Sequence, residues 1–377
     1  MAWRDNLKSF NIEKLRFSKA KDALGVDLGS TAIKIVQLRG SPGRYSLARW
    51  AYLPLPNAGP DVPGPDRRTQ AVNLLKDYVA KQKKNASRHA VFSVSGNSVI
   101  VRYVKFNRMS RPDLAKMIFI EAEPYIPFSI PEVNLDFHIL GDVVEEGVRK
   151  METILVAAKK EIIQSRLEVV QQVGLQPILI DVDAFALANA YEANRNPAIK
   201  ETVLMVHVGA SVTSMAILEG GIPKVVRDVF IAGNTLTKAL QRNFQCDAKQ
   251  ADAMKARAQL LATPEEREHA MSENNKEVLQ MSTVMLPVMK DLLAEVQRSL
   301  DFYLSQGSDR QVGRVLLSGG GGRLGNLTGY FGHELKMPVE LFDPLARIEG
   351  AGAIAPDLRP LFSVAVGLAV RRDGDVS

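Results

Sequence analysis

Three glycine-rich turns carry the residues best suited to chemistry in this chain of 377 residues. The first lies in Leu24-Gly-Val-Asp27-Leu-Gly29-Ser30-Thr31-Ala-Ile-Lys34-Ile-Val-Gln-Leu38, an apolar run that meets an acid and small residues and then resumes. This is the pattern of a β-hairpin whose tip offers successive backbone N–H groups, a concavity suited to phosphate. Alone it is weak, because a Gly-Ser turn is usually just a turn. A second copy, Val203-Leu-Met-Val-His207-Val-Gly209-Ala210-Ser211-Val-Thr-Ser214-Met-Ala-Ile-Leu218, changes the weighting and implies a duplicated fold with two facing phosphate hairpins. The third piece, Val315-Leu-Leu-Ser318-Gly319-Gly320-Gly321-Gly322-Arg323, reads as a strand entering a glycine turn before a helix. Four glycines suit neither strand nor helix, and admit something flat or charged close to the backbone; a flexible loop is the alternative. No G-x-x-x-x-G-K-[ST] occurs and the first turn does not feed a helix, which argues against a P-loop or a Rossmann site.

Strands and helices must alternate to position these turns. Pro54–Pro65 is a Pro/Gly-rich surface loop, and Arg68–Lys83 reads as a helix with Ala71, Leu74, Leu75, Tyr78 and Val79 on one face. His89–Val104 alternates like a strand pair with Gly96-Asn97 as its turn. A Pro-punctuated stretch, Glu121–Leu140, precedes a helix at Lys159–Val173 that stops at Gly174. A helical block, Thr235–Gln306, is interrupted near Thr263-Pro264 and Pro287, and strands return at Val315–Leu317 and Val339–Phe342. The mixture is that of an α/β or α+β protein.

Composition limits the function classes. With 46% hydrophobic and 24% charged residues the chain is ordinary globular protein, long enough for two or three domains. A net charge of +6 with interleaved acids argues against nucleic acid as a partner. The single cysteine, Cys246, excludes an internal disulfide framework and a Cys-rich metal site and suits a reducing compartment. The best apolar run, Leu361–Val370, falls short of the roughly 20 residues of a membrane span. Residues 1–22 hold six Lys/Arg and three Asp/Glu without a signal-peptide core, a short basic arm that touches anionic lipid or a partner, or simply frays.

The three turns, in this order, resemble the actin/Hsp70/hexokinase superfamily, and within it the chain resembles the PilM family of type IV pilus assembly proteins, relatives of FtsA. The narrower likeness rests on Glu121-Ala-Glu-Pro-Tyr-Ile-Pro-Phe128, Pro131-Glu-Val-Asn-Leu-Asp-Phe137, Ile180-Asp181-Val-Asp183-Ala-Phe-Ala-Leu-Ala188-Asn189, Ile231-Ala-Gly233-Asn234-Thr235-Leu-Thr237 and Phe362-Ser-Val-Ala-Val-Gly-Leu-Ala369, and spans 24–372. It implies an α/β duplicated two-lobe fold, with ribonuclease H-like lobes and an FtsA-type insertion. The implied parts are a basic arm (1–23), a first lobe (24–105 with 175–199), an inserted subdomain (106–174), a second lobe (200–236 with 312–372), a helical subdomain (237–311) and a tail (373–377).

The resemblance also implies roles around bound Mg-ATP. Asp27 would hold Mg2+ through water, while Gly29, Ser30 and Thr31 cradle the β- and γ-phosphates opposite Gly209, Ala210 and Ser211. Lys34 either reaches phosphate or is a solvated strand lysine. Gly233 and Asn234 fall where the family contacts the α-phosphate, and Gly319, Gly320, Gly321, Gly322 and Arg323 where it admits adenosine. Asp252 and Lys255 resemble an A-E-x-x-K helix that lines ribose and adenine, or are a solvated i,i+3 pair. His207 stands where relatives place an acid. A neutral imidazole competes poorly for Mg2+, so hydrolysis is expected to be slow or absent, with His207 and Asp183 the candidate catalytic groups. Asp181 and Asp183 equally suit a helix N-cap.

The implied partner is the cytoplasmic N-terminal tail of a PilN-like inner-membrane protein, docked near Tyr125, Ile126 and Phe128, which core packing would also explain. Assembly-platform and motor proteins, and homo-oligomers, are further implied partners; the address is cytoplasmic, peripheral to the inner membrane through a partner. Two rivals are an FtsA-like filament protein, disfavoured because the sequence stops without an amphipathic membrane helix, and a small-molecule kinase, which needs an acidic base beside a substrate hydroxyl.

Overall fold

The computed structural model describes residues 22–83, 86–196 and 198–371; the basic arm up to Lys21 and the tail from 373 lie outside the described residues. Two compact units emerge, a smaller one of 94–168 and a larger one of 22–93 with 169 onward. Strands β1 (Leu24–Leu28), β2 (Ala32–Ser41), β3 (Arg44–Pro54) and β4 (His89–Val94) come first. The smaller unit holds β5 (Val99–Asn107), β6 (Val133–Glu145) and β7 (Val148–Lys159). They are followed by β8 (Gln176–Val182), β9 (Thr202–Val208), β10 (Thr213–Glu219), β11 (Ile222–Val229), β12 (Arg314–Ser318) and β13 (Val339–Leu341).

The larger unit contains two five-stranded sheets of the same plan, β3-β2-β1-β4-β8 and β11-β10-β9-β12-β13. In each, the central strand runs antiparallel to the strand after its hairpin and parallel to its other neighbour. The central strands β1 and β9 are covered on both faces, which is why they are buried residue after residue with no alternation, Asp27 and His207 being their buried polar members. The C-terminal ends of β1, β4, β9 and β12 carry Asp27, Ser93, His207 and Ser318, the edge of an α/β sheet where ligand sites form.

The apolar run near the C-terminus is the helix Ser363–Ala369, buried along its whole length. It lies against β1 and against the helix Asp183–Asn194 at backbone distance. A Cβ on Gly25 would sit 2.1 Å from Ala365 O, and one on Gly367 only 1.7 Å from Ala186 O, so both positions require glycine for close approach. The second sheet packs on the helix Lys276–Leu304 through Met281, Met285, Met289, Leu292 and Val296.

Four expectations change. His89–Val104 is two strands but no hairpin, because β4 pairs with β1 while β5 pairs with β7 in the smaller unit. That unit accordingly takes in β5, which the sequence had placed in the first lobe, and begins at Val94. Pro287 lies inside the 29-residue helix Lys276–Leu304 without ending it, since one lost hydrogen bond is outweighed by a buried face continuous on both sides of it. The four glycines are no open turn but one helical turn, Gly319–Gly322, with the helix Leu327–Leu335 following. In the smaller unit the sheet order is β5-β7-β6, with the helix Arg111–Glu121 packing Leu114 and Ile118 onto Phe106, Leu135 and Leu155. No helix of the described residues is long and apolar enough to cross a membrane.

Candidate functional site

At the first hairpin, register places Asp27 opposite Lys34. Their side chains form an ion pair at 2.7 Å and are 12% and 13% exposed. The Lys34 ammonium also donates to Ala32 O at 3.4 Å, so it is curled beneath the hairpin tip and is no solvated lysine. A Cβ on Gly29 would lie 2.7 Å from both Lys34 Nζ and Ala32 O, which restricts this position to glycine.

The second hairpin repeats the geometry. A Cβ on Gly209 would lie 2.6 Å from Val212 O, to which the Gly209 N–H donates at 3.0 Å. Its tip is braced by the helix Gly233–Phe244. Gly233 N–H donates to Gly209 O at 3.0 Å, Asn234 N–H to Ala210 O at 2.7 Å, and Asn234 Nδ2 to Ser211 Oγ at 3.0 Å. The two backbone donors are used by the hairpin itself, so Gly233 and Asn234 support its tip, while the Asn234 amide keeps a second N–H. The carboxylate of Asp252 takes part in a second brace: Thr237 Oγ1 donates to it at 2.7 Å, and Lys255 Nζ donates to it at 2.6 Å, to Thr237 Oγ1 at 2.7 Å and to Gly233 O at 3.3 Å. This pair ties two helices together and is more than a solvated surface pair.

His207 is buried, and its register partner on β12 is Ser318. His207 Nδ1 and Ser318 Oγ are 2.9 Å apart. Burial holds the imidazole down to about 4, opposed by the Asp27 carboxylate and reinforced by the Lys34 ammonium. Both charges of the first hairpin therefore act on the histidine of the second. The glycine turn packs against the end of β9. Gly319, at φ +80°, would bring a Cβ to 2.5 Å from Val208 O and 3.2 Å from His207 Cε1, and Gly321 one to 2.4 Å from Val208 Cγ1. A Cβ on Gly320 meets nothing within 4 Å. Arg323 donates to Asp357 at 3.3 Å.

Asp183 opens the helix Asp183–Asn194, with Val182 at the N-cap position, and accepts the Ser93 hydroxyl at 2.5 Å. Asp181 is a buried brace: it accepts from Val182 N–H at 2.8 Å and Asn189 Nδ2 at 3.4 Å and pairs with Arg371 at 3.2 Å. Neither residue occupies the N-cap position, which falls to Val182. Among the described residues no group of three or more His, Cys, Asp or Glu is placed to hold a metal ion.

In the smaller unit Ile126 is a core residue. Phe128 is partly buried under the Lys159 ammonium, 4.8 Å from the ring centroid, while Tyr125 is 41% exposed and meets Phe106 edge-on. The sequence reading missed Ser93 and Ser318, which only strand register reveals. It also missed the exposed Met117, Phe119 and Ile120, which sit on a helix apolar on several sides.

The family model for the type IV pilus assembly protein PilM matches residues 25–373. The chain belongs to the PilM family. Among solved structures, the PilM-PilN type IV pilus biogenesis complex superposes with a TM-score of 0.76 at 26% identity, covering 93% of this chain and 98% of that one. The ethanolamine utilization protein EutJ from Carboxydothermus hydrogenoformans matches with a TM-score of 0.52 at 15% identity, over 98% of each chain. MreB 5 of Spiroplasma citri, bound to AMPPNP, matches with a TM-score of 0.50 at 13% identity, over 91% of this chain and 93% of that one. The fold is thus the actin-like one, and the general role of this PilM-family chain is in type IV pilus assembly.

Proposed function

We propose that this PilM-family chain is a cytoplasmic, ATP-binding scaffold that docks the cytoplasmic tail of a PilN-like membrane protein, with nucleotide setting lobe closure. The observation that carries the nucleotide half is the Asp27–Lys34 pair of the first hairpin acting on His207 of the second, with the glycine turn against His207 and open space at Gly320. Two hairpin tips and a glycine turn with room above its second residue fit a triphosphate and a flat base. Asp27 is the residue that would hold Mg2+ through water, and Lys34 the one that would turn from Asp27 to phosphate. Bound Mg-ATP supplies the negative charge and the cation for which Lys34 and Asp27 exchange partners. Ser30, Thr31, Ala210 and Ser211 line the tips, and the open space at Gly320 is where the base would approach the backbone, Gly321 being packed against Val208.

A buried neutral imidazole supplies no negative charge for orienting water, so hydrolysis is slow or absent. His207→Asp should raise turnover; a wild-type rate that collapses in His207→Ala would instead make the imidazole a working catalytic group. The partner half rests on family membership and on the exposed ring of Tyr125. The test is thermal melting with and without Mg-ATP, paired with a pull-down on the candidate partner's tail. At about 100 times the dissociation constant, ATP should stabilise the chain by roughly 2.7 kcal/mol. An unchanged melting point at millimolar nucleotide removes ATP from the reading and leaves the scaffold.

A further inference from the structure

The segment joining β3 to the helix Gly64–Ala80 leaves from the first hairpin and ends on the helices that brace the second. It departs at Leu55, whose side chain is buried and whose N–H donates to Thr31 O at 2.9 Å. Its course is pinned from its own lobe. Asn57 N–H donates to Gln70 Oε1 at 2.9 Å, and Arg67 Nη2 donates to the carbonyls of Gly59 and Pro60, each at 3.4 Å. Its turn then meets the other lobe at two points. A Cβ on Gly59 would lie 3.3 Å from Ala248 Cβ, and Asp61 pairs with Lys238 at 3.2 Å. Under Pro60 a cavity of 460 Å³ extends to Ser211 and Asn234, with Phe230 and Lys238 in its wall.

We propose that residues 55–62 form a strap across the mouth of the cleft that governs nucleotide exchange, with the Asp61–Lys238 pair as its latch. The inference rests on the nucleotide reading above for what the strap retains. The two attachments differ in strength, and this difference makes the segment a gate instead of a fixed wall. On its own lobe it has four hydrogen bonds, whereas toward the other it has the close approach of the backbone at Gly59 and an open ion pair whose side chains are 46% and 70% exposed. A pair so exposed changes an equilibrium by up to about fivefold. The strap therefore lets go at Lys238 first and uncovers Ser211 while remaining tied to Thr31.

A disulfide tests this directly, because the separation at Gly59 and Ala248 is within a few tenths of an ångström of the usual Cβ spacing of a cystine, about 3.5–4.5 Å. Gly59→Cys with Ala248→Cys is made in the full chain carrying Cys246→Ser, which removes the neighbouring native thiol. Release of a fluorescent ATP analogue is timed, and hydrogen exchange is followed at the amides of both hairpins, in oxidised and reduced protein. Oxidation should slow release more than about tenfold and protect residues 207–214, and reduction should reverse both. Separately, Asp61→Lys should speed release severalfold, and adding Lys238→Asp should restore it. Release and exchange indifferent to oxidation would overturn the strap. If no analogue binds the reduced protein, the nucleotide reading fails, and the exchange measurement alone decides the strap.

Discussion

Asp27 and His207 occupy the same register position in the two duplicated sheets, each one strand residue away from its hairpin. Asp27 faces Lys34 across the antiparallel pair and His207 faces Ser214. Duplication has kept the backbone and changed the charge. The first hairpin holds a compact ion pair, while the second holds a neutral ring anchored to Ser318. Because both Asp27 and Lys34 act on His207 with opposite sign, their fields on it partly cancel, and burial is left as the largest influence on the ring.

The Asp27–Lys34 pair should behave as a coupled unit. Removing one partner strands the other charge in a nearly closed site, so Asp27→Asn and Lys34→Met should each cost about 3 kcal/mol. The double variant should cost at least about 1 kcal/mol less than the sum. Urea unfolding of the four proteins closes the cycle, and strict additivity would mean that the two charges are solvated independently. Both single variants should also lose the ATP-dependent melting shift.

His207 gives the fold a pH dependence with a definite sign. In the unfolded chain the imidazole takes up a proton near 6.5, whereas in the folded chain burial holds it down to about 4. As pH falls through this window the unfolded state gains a proton that the folded state refuses, so stability is lost, in total by about 3 kcal/mol, with no further loss below about pH 4. Compared with His207→Gln, the wild type should therefore weaken between pH 6.5 and 4 and run parallel to it above 7.5. Parallel curves across the whole range would show that the ring is protonated freely in the native state.

The close approach of the helix Ser363–Ala369 to its neighbours should tolerate no side chain. Gly367→Ala drives a methyl group into the Ala186 carbonyl and Gly25→Ala into that of Ala365, both backbone atoms that cannot rotate aside. Each should cost about 3 kcal/mol or more, at or beyond the upper end of overpacking, because whole elements must separate. Gly352→Ala, where a Cβ meets nothing within 4 Å, is the control and should unfold at the wild-type urea midpoint.

The hairpins were legible because their signal is local: an apolar strand, a small-residue tip and a second strand follow one another in the chain. Strand partnership is not local, and this is where the sequence reading failed. Gly96-Asn97 is a good turn between two good strands, yet β4 and β5 find partners in different sheets. The same blindness hid Ser318, whose contact with His207 comes from parallel register between residues 111 positions apart. The four glycines were recognised as a place of close approach, but periodicity carries no information when every residue lacks a side chain, so the helical turn was not foreseen.

The aromatic stretch of the smaller unit should separate into a core residue and a docking residue. Ile126→Ala removes a buried side chain and should cost about 2 to 5 kcal/mol. Tyr125→Ala removes a partly exposed ring and should move the melting point by no more than about two degrees while weakening capture of the partner tail. Nucleotide binding should persist in Tyr125→Ala. A tail that binds Tyr125→Ala undiminished would move the docking surface away from this residue.

Neighbouring glycines in the quartet should give opposite outcomes. A Cβ on Gly321 would lie 2.4 Å from Val208 Cγ1 and 3.1 Å from Val208 Cβ, and valine is too stiff about χ1 to yield, so Gly321→Ala should push the helical turn off β9 and destabilise the empty protein by about 1 to 3 kcal/mol. Gly320 points a Cβ into open space, so Gly320→Leu should leave the urea midpoint of the empty protein nearly unchanged. If that space receives the base of the nucleotide, Gly320→Leu should nevertheless abolish the melting shift given by Mg-ATP, since the new side chain fills the approach to the backbone. Measuring both quantities on both variants separates folding from binding. A Gly320→Leu protein that still shifts with Mg-ATP would place the base elsewhere and confine the glycine turn to packing against β9.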